Sequence, residues 1–196
     1  MDVSEVAEQV QASDARSKWI GVYVGVLATL LAVCTMGGDN AAKDATRANI
    51  EASNMWSFFQ AKNIRRAAYA VAADDLELIR KALPTMPADA LAAFDKKIAG
   101  YRADVARYTS DKTSKEGLDQ LFERAKAIEK ERDIALRRDP YFDVAQALLQ
   151  IAIVLASVAL IAGTNVLLFF SLLLGTAGAF LMANGFTLWV ALPFFG

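Results

Sequence analysis

Two stretches of this chain contain no Asp, Glu, Lys or Arg at all, Trp19 to Gly38 and Val144 to Gly196. A helix crosses the ~30 Å hydrocarbon core of a bilayer in about 20 residues, and it satisfies its own backbone N–H and C=O groups while doing so. The first stretch is just long enough for one crossing and the second is long enough for two. Asp39 to Asp143, between them, holds most of the charge and reads as water-exposed. The expected fold is therefore all-α: three transmembrane helices, with a long, coiled-coil-like helical hairpin outside the membrane between spans one and two. In chain order this gives a polar N-terminal tail (1–18), span one (19–38), the hairpin (39–140), span two (141–163), span three (166–192) and a C-terminal tail (193–196).

The span ends carry further signals. Span one follows Arg16 and Lys18 and sets Trp19 and Tyr23 where interfacial aromatics belong. A secretory leader needs a basic start, whereas Asp2, Glu5, Glu8 and Asp14 make this one long and acidic, so the segment reads as a retained anchor. Asp139 and Pro140 fit the N-cap and first turn of span two. Gly163-Thr164-Asn165 is a tight turn into span three, which Trp189, Pro193 and Phe194-Phe195 close.

Lipid gives helices no hydrophobic reason to associate, so they pack at small residues. The candidates are Gly21 and Gly25 on span one, Ala152 and Ala156 on span two, and Gly175 and Ala179 on span three. Gln146, Gln150 and Asn184 are the polar exceptions, expected to hydrogen-bond across helices or to sit near headgroups. The charge-free spans argue against pumps, voltage sensors and proton relays, which exchange charge inside the bilayer. An oligomeric pore lined by small or polar residues passes that test. Basic residues near span ends favour the cytoplasmic side. Lys130, Arg132, Arg137 and Arg138 precede span two, and the turn after it is uncharged, which puts the hairpin and the C-terminus inside; Arg16 and Lys18 pull the other way.

Within the hairpin, Ala41, Ala45, Ala48, Ala52, Met55 and Phe59 recur at the spacing of a helix seam, with Asp39 or Asn40 as cap, Gly37-Gly38 as a hinge or helix break, and Leu83-Pro84-Thr85-Met86-Pro87 as terminator. A second helix, about 88–108, carries the heptad Leu91, Phe94, Ile98, Tyr101, Val105 and Tyr108. After a polar break from Thr109 to Gly117, a third carries Leu118, Leu121, Ala125, Ile128, Arg132 and Ala135. The first helix would reach roughly 65 Å and the later two about 70 Å together, so they are expected to return end to end along it. A kink near Asp74-Asp75, giving a shorter and thicker bundle, is the alternative. On these seams Ile98→Asp is expected to cost several kcal/mol.

Met55, Trp56, Phe58 and Phe59 form an aromatic cluster that is either a partner or oligomer contact or the hairpin's own core. Arg137 and Arg138 are candidates for lipid headgroups or for a topology anchor. Arg132, a charge on an apolar seam, either pairs with a facing acid or lies at the seam's edge. The acidic groups at Asp74, Asp75, Glu77 and at Glu129, Glu131, Asp133 have no metal-loop spacing and read as solvated helix faces. The chain has no histidine, and its one cysteine, Cys34, reads as a small packed residue of span one. A net charge of −1 without a basic face makes nucleic acid an unsuitable partner. No nucleophile elbow, phosphate loop or dinucleotide fingerprint occurs. No catalytic, cofactor or metal residues are expected.

Asn40-Ala41-Ala42-Lys43, Arg47-Ala48-Asn49-Ile50-Glu51-Ala52-Ser53, Arg132-Asp133, and the block from Arg138-Asp139-Pro140-Tyr141-Phe142-Asp143 into Ala147-Leu148-Leu149-Gln150-Ile151-Ala152 carry a resemblance. With them the chain resembles the bacterial membrane-protein family known as domain of unknown function 4337. The resemblance implies an inner-membrane location and the three-span layout, and it brings no activity. The expected role is a non-enzymatic scaffold or accessory subunit, in the bilayer, that self-associates or joins a larger complex. The alternative is a homo-oligomeric channel or transport component with a polar path past Gln146, Gln150 or Asn184.

Overall fold

In a computed structural model, residues 3–192 are described, with side chains from Arg16 onward. They form four helices and no strand: α1 (Val3–Ala82), α2 (Ala88–Thr109), α3 (Leu118–Ala162) and α4 (Asn165–Thr187). Stretches of α1 and α3, and α4 as a whole, are long and apolar enough to cross a membrane, which gives the three expected spans. The C-terminal tail at 193–196, with Pro193, Phe194 and Phe195, lies outside the described residues.

Six helices expected from the pattern are four because two pairs fuse. The break at Gly37-Gly38 and the cap at Asp39 or Asn40 are absent: α1 runs unbroken from Val3 to Ala82, taking in the described part of the polar tail. Glycine inside a helix costs only about 1 kcal/mol relative to alanine, so two of them weaken a helix without ending it. Asp139 and Pro140 likewise do not start a helix, since Pro140 lies inside α3. Proline forfeits one hydrogen bond to the carbonyl four residues back, here that of Leu136, and the helix continues on both sides. There is no break at Asp74-Asp75 either.

The chain divides into two compact units, one of Met1–Ala45 with Asp133–Gly196 and one of Thr46–Arg132. The first contains the span segments. Here α3 ends at Ala162, Gly163 turns with a φ of +67°, and α4 starts after Thr164, as the sequence suggests. Arg16 Nη1 donates to the Gly163 carbonyl at 3.0 Å, so the start of span one and this turn share one end of the unit. The helix of span three stops at Thr187 rather than near 192, with Leu188 in the left-handed conformation as its C-cap.

The second unit is the hairpin, and its contacts climb in opposite directions along two strands of helix. Trp56 and Phe59 meet Phe122 of α3; Lys62 binds Glu116 of the α2–α3 loop at 3.0 Å. Further out, Tyr69 stacks on Tyr108 and lies tilted against Tyr101, Arg102 pairs with Asp74 and Glu77, and Arg80 pairs with Asp95 at 2.7 Å. A long outgoing helix is thus matched by α2 and the first part of α3 returning end to end. The inner seam buries Ala48, Ala52 and Ala73 of α1, and Leu118, Leu121 and Ala125 of α3. No residue of α2 is fully buried.

Candidate functional site

In the membrane unit α4 presents small residues at three- and four-residue steps, Ser171, Gly175 and Gly178, with Gly185 one heptad beyond Gly178, and all four are buried. A Cβ on Gly175 would lie 2.8 Å from the Tyr23 hydroxyl and 2.9 Å from Leu27 Cδ2; one on Gly178 would lie 3.0 Å from Leu149 Cγ. The opposing seam of α3 is Ala145, Leu149, Ala152, Ala156 and Ala159, each 0% exposed. These residues let three helices approach closely enough for dispersion contacts to hold them in lipid.

One hydroxyl knot ties the three helices. Ser171 Oγ donates to the Ala152 carbonyl at 2.6 Å, and the Tyr23 hydroxyl donates to the Ser171 carbonyl at 3.0 Å. Ser171 Oγ also lies 3.2 Å from the Tyr23 hydroxyl, so this one residue crosslinks α4 to α3 and to α1.

At the other end of the unit Phe142, 1% exposed, sits in a socket made by missing side chains. A Cβ on Gly37 would be 2.6 Å from its Cε1, one on Gly38 3.2 Å from its Cβ, and one on Gly185 3.0 Å from its Cζ. Phe186 closes the socket edge-on, with ring centroids 4.8 Å apart. Beside it Cys34 is buried and donates to the Phe142 carbonyl, as a small packed residue would. Asn184 then holds the segment after α4: its Nδ2 donates to the Val190 carbonyl at 2.8 Å, and Val190 N donates to its Oδ1 at 2.9 Å. The Tyr141 hydroxyl donates to the same carbonyl and accepts from Leu192 N, each at 3.1 Å.

The hairpin's aromatic cluster is a box between α1 and α3. Trp56 meets Phe59 and Phe122 edge-on at 5.4 and 5.6 Å, and its indole N–H donates to Glu129 Oε1 at 2.9 Å. Lys126 lies over both Trp56 and Phe122 and pairs with Glu129 at 2.8 Å. These bonds from Lys126 and Trp56, with the Arg132 charge behind them, hold the Glu129 carboxyl below its ordinary range. Below the box, an open cleft of about 550 Å³ lies between Phe59 and Arg66 on one side and Asp119, Phe122 and Glu123 on the other.

The residues singled out from the sequence fall unevenly on these features. Ala152, Ala156 and Gly175 lie in the helix–helix seams, whereas Ala179 is half-buried and Gly178 holds the seam position expected for it. Gly21 and Gly25 are exposed, and a Cβ on either would meet nothing within 4 Å. Met55, Trp56 and Phe59 are half-buried while Phe58 is exposed, with Lys62 over its ring at 5.0 Å. Arg137 is exposed and Arg138 half-buried, with its Nε buried and lacking an acceptor. Arg132 is half-buried on the seam. The socket for Phe142 was not anticipated; its only signal was the glycine pair itself. No curated protein and no solved structure matches the chain. Residues 16–188 match the sequence model of the family described as "Domain of unknown function (DUF4337)", and the chain belongs to that family.

Proposed function

We propose that this protein is a non-enzymatic membrane scaffold or accessory subunit, assembling with further copies of itself or within a larger complex. Its setting is a bacterial inner membrane, with the helical hairpin in the cytoplasm. The observation that carries this reading is the apolar surface left open on the extramembrane unit. Ile50, Phe58, Ile64, Val71 and Leu78 of α1 and Phe122 of α3 are exposed, while the heptad of α2 is half-buried. Large apolar side chains left open on a water-facing element favour a partner. Arg137 and Arg138 at the start of span two support a cytoplasmic hairpin through the positive-inside rule.

The channel reading keeps one supporting feature. Gln150 is exposed on α3, where an unpaired amide in hydrocarbon favours a neighbour that can bond to it. Asn184 no longer supports it, because its amide is engaged by Val190. The deciding experiment is the mass of the protein gently extracted from its native membrane, with every co-purifying chain identified. A multiple of this chain or a stoichiometric companion is the expected result, and a lone monomer overturns the proposal. Ion flux in liposomes that disappears on Gln150→Leu would replace it with the channel.

A further inference from the structure

Within the membrane unit, the start of span one and the start of α4 leave a groove between them. Trp19, Ile20 and Tyr23 of α1 line one side and Asn165, Phe169 and Leu172 of α4 the other, around a volume of about 370 Å³. Both sets have the spacing of a single helix face. That volume is in the range of small-molecule sites. Along its length the groove is apolar, because Tyr23 spends its hydroxyl on the Ser171 carbonyl. Ile20 forms the buried floor, whereas Trp19, Phe169 and Leu172 are 75%, 65% and 53% exposed. Both walls belong to helices long and apolar enough to cross a membrane, so acyl chains are the medium beside the groove.

One end of the groove is different, because a cation stands there. Arg16 precedes Trp19, Ile20 and Tyr23 by three, four and seven residues, which puts it on the same face of α1. Its Nη1 donates to the Gly163 carbonyl at 3.0 Å, which fixes the guanidinium beside the turn into α4. Its Nη2 is buried and has no acceptor among the described residues. Thr164 gives α4 no side-chain cap, so the positive end of that helix dipole adds to the field at the same corner. Trp19 is of the residue type that sits at headgroup level. A guanidinium pairs most strongly with a carboxylate or phosphate. The anion that reaches a membrane interface together with an apolar chain to fill the groove is the phosphodiester of a lipid.

We infer that the groove between α1 and α4 binds an anionic phospholipid, with the phosphate at the Arg16 guanidinium and an acyl chain along Trp19, Tyr23, Phe169 and Leu172. The site goes beyond the scaffold reading and does not depend on it, since one chain supplies the whole groove. The test uses the full-length protein with Trp56→Phe and Trp189→Phe, which leave Trp19 as the one tryptophan. It is reconstituted in mixed vesicles of phosphatidylglycerol and phosphatidylcholine, with bromine on the acyl chains of one lipid at a time to quench the indole on contact. Quenching should show a preference for phosphatidylglycerol above about fivefold, more than one exposed basic side chain gives at an anionic surface. Arg16→Gln should remove most of that preference at unchanged helicity. Lys18→Gln, two residues on and so about 200° around the helix, should take away much less. No preference in the parent, or equal losses in the two variants, overturns the inference, the second because it would mean attraction by surface charge alone. An excess of inorganic phosphate at constant ionic strength should leave the quenching unchanged; displacement by it would mean that the corner takes a free anion, and would overturn the lipid assignment.

Discussion

Phe142 occupies a space that exists because Gly37, Gly38 and Gly185 have no side chains, and this makes each glycine a sensitive probe. A Cβ at Gly37 would stand 2.6 Å from one ring atom of Phe142 and 2.8 Å from Phe186 Cζ, closer than atoms can pack. Gly37→Ala should therefore destabilise the membrane unit by about 1–3 kcal/mol despite alanine's better helix propensity. Gly21→Ala, made where a Cβ meets nothing, should leave stability unchanged or raise it by about 0.5–1 kcal/mol. Thermal unfolding of both variants in one detergent checks this pair; equal melting temperatures would refute the socket. The glycines were conspicuous in the sequence, but a missing Cβ says only that something comes close. Whether the chain bends there or a partner fills the gap depends on a residue more than a hundred positions away. Asn184 was ambiguous for the same reason, since its partners lie in a segment without a pattern of its own.

Among the elements, α2 and the first part of α3 line the same outgoing helix but differ in depth. Leu121 is 1% exposed, whereas Ile98 is half-buried, as is the rest of its heptad. Leu121→Ala should cost about 2–5 kcal/mol. Ile98→Asp, expected from periodicity alone to cost several, should cost only about 0.5–3 kcal/mol because the new carboxylate can turn to water. Chemical denaturation ranks the two, and a larger loss at Ile98 would reverse the assignment of depth. Periodicity located the seams within the hairpin because the side of a helix that is apolar is a local property, whereas small-residue spacing misplaced those of spans one and three, where Gly21 and Gly25 are exposed and Gly178 packs in place of Ala179. Periodicity could not give depth, which depends on how many neighbours cover the seam. Nor could it detect that α1 and α3 run on through Gly37-Gly38 and Pro140, where local signals for ending a helix are outweighed by packing on either side. Pro140 still forfeits its hydrogen bond, so Pro140→Ala should raise the melting temperature, by up to the equivalent of about 3 kcal/mol. A fall instead would mean that the proline shapes the approach of Phe142 to its socket.

Across the whole molecule the two units should answer acid in opposite directions. In the hairpin unit the Glu129 carboxyl is held low by Lys126 and Trp56, and that of Asp111 by the Ser114 and Thr113 N–H groups of its loop. A carboxyl depressed on folding gives stability that is present above its unfolded value, about 4, and is lost as pH falls below that toward the folded value. Asp139, just before span two in the other unit, is shifted upward by burial and then by the nearby negative charge of Asp143. Its folded form binds a proton more readily than the unfolded chain, so its contribution improves as pH falls from neutrality toward about 4. The membrane unit should thus firm slightly between neutral pH and about 4, while the hairpin holds steady there and loosens only below. Hydrogen exchange resolved by segment across that range, with intrinsic exchange corrected for pH, tests this directly. Asp139→Asn should abolish the change in the membrane unit, because an amide cannot titrate, and Glu129→Gln should weaken the loss in the hairpin. If both units lost protection together, at one pH, and neither variant altered it, these carboxyls would not be the groups that set the response.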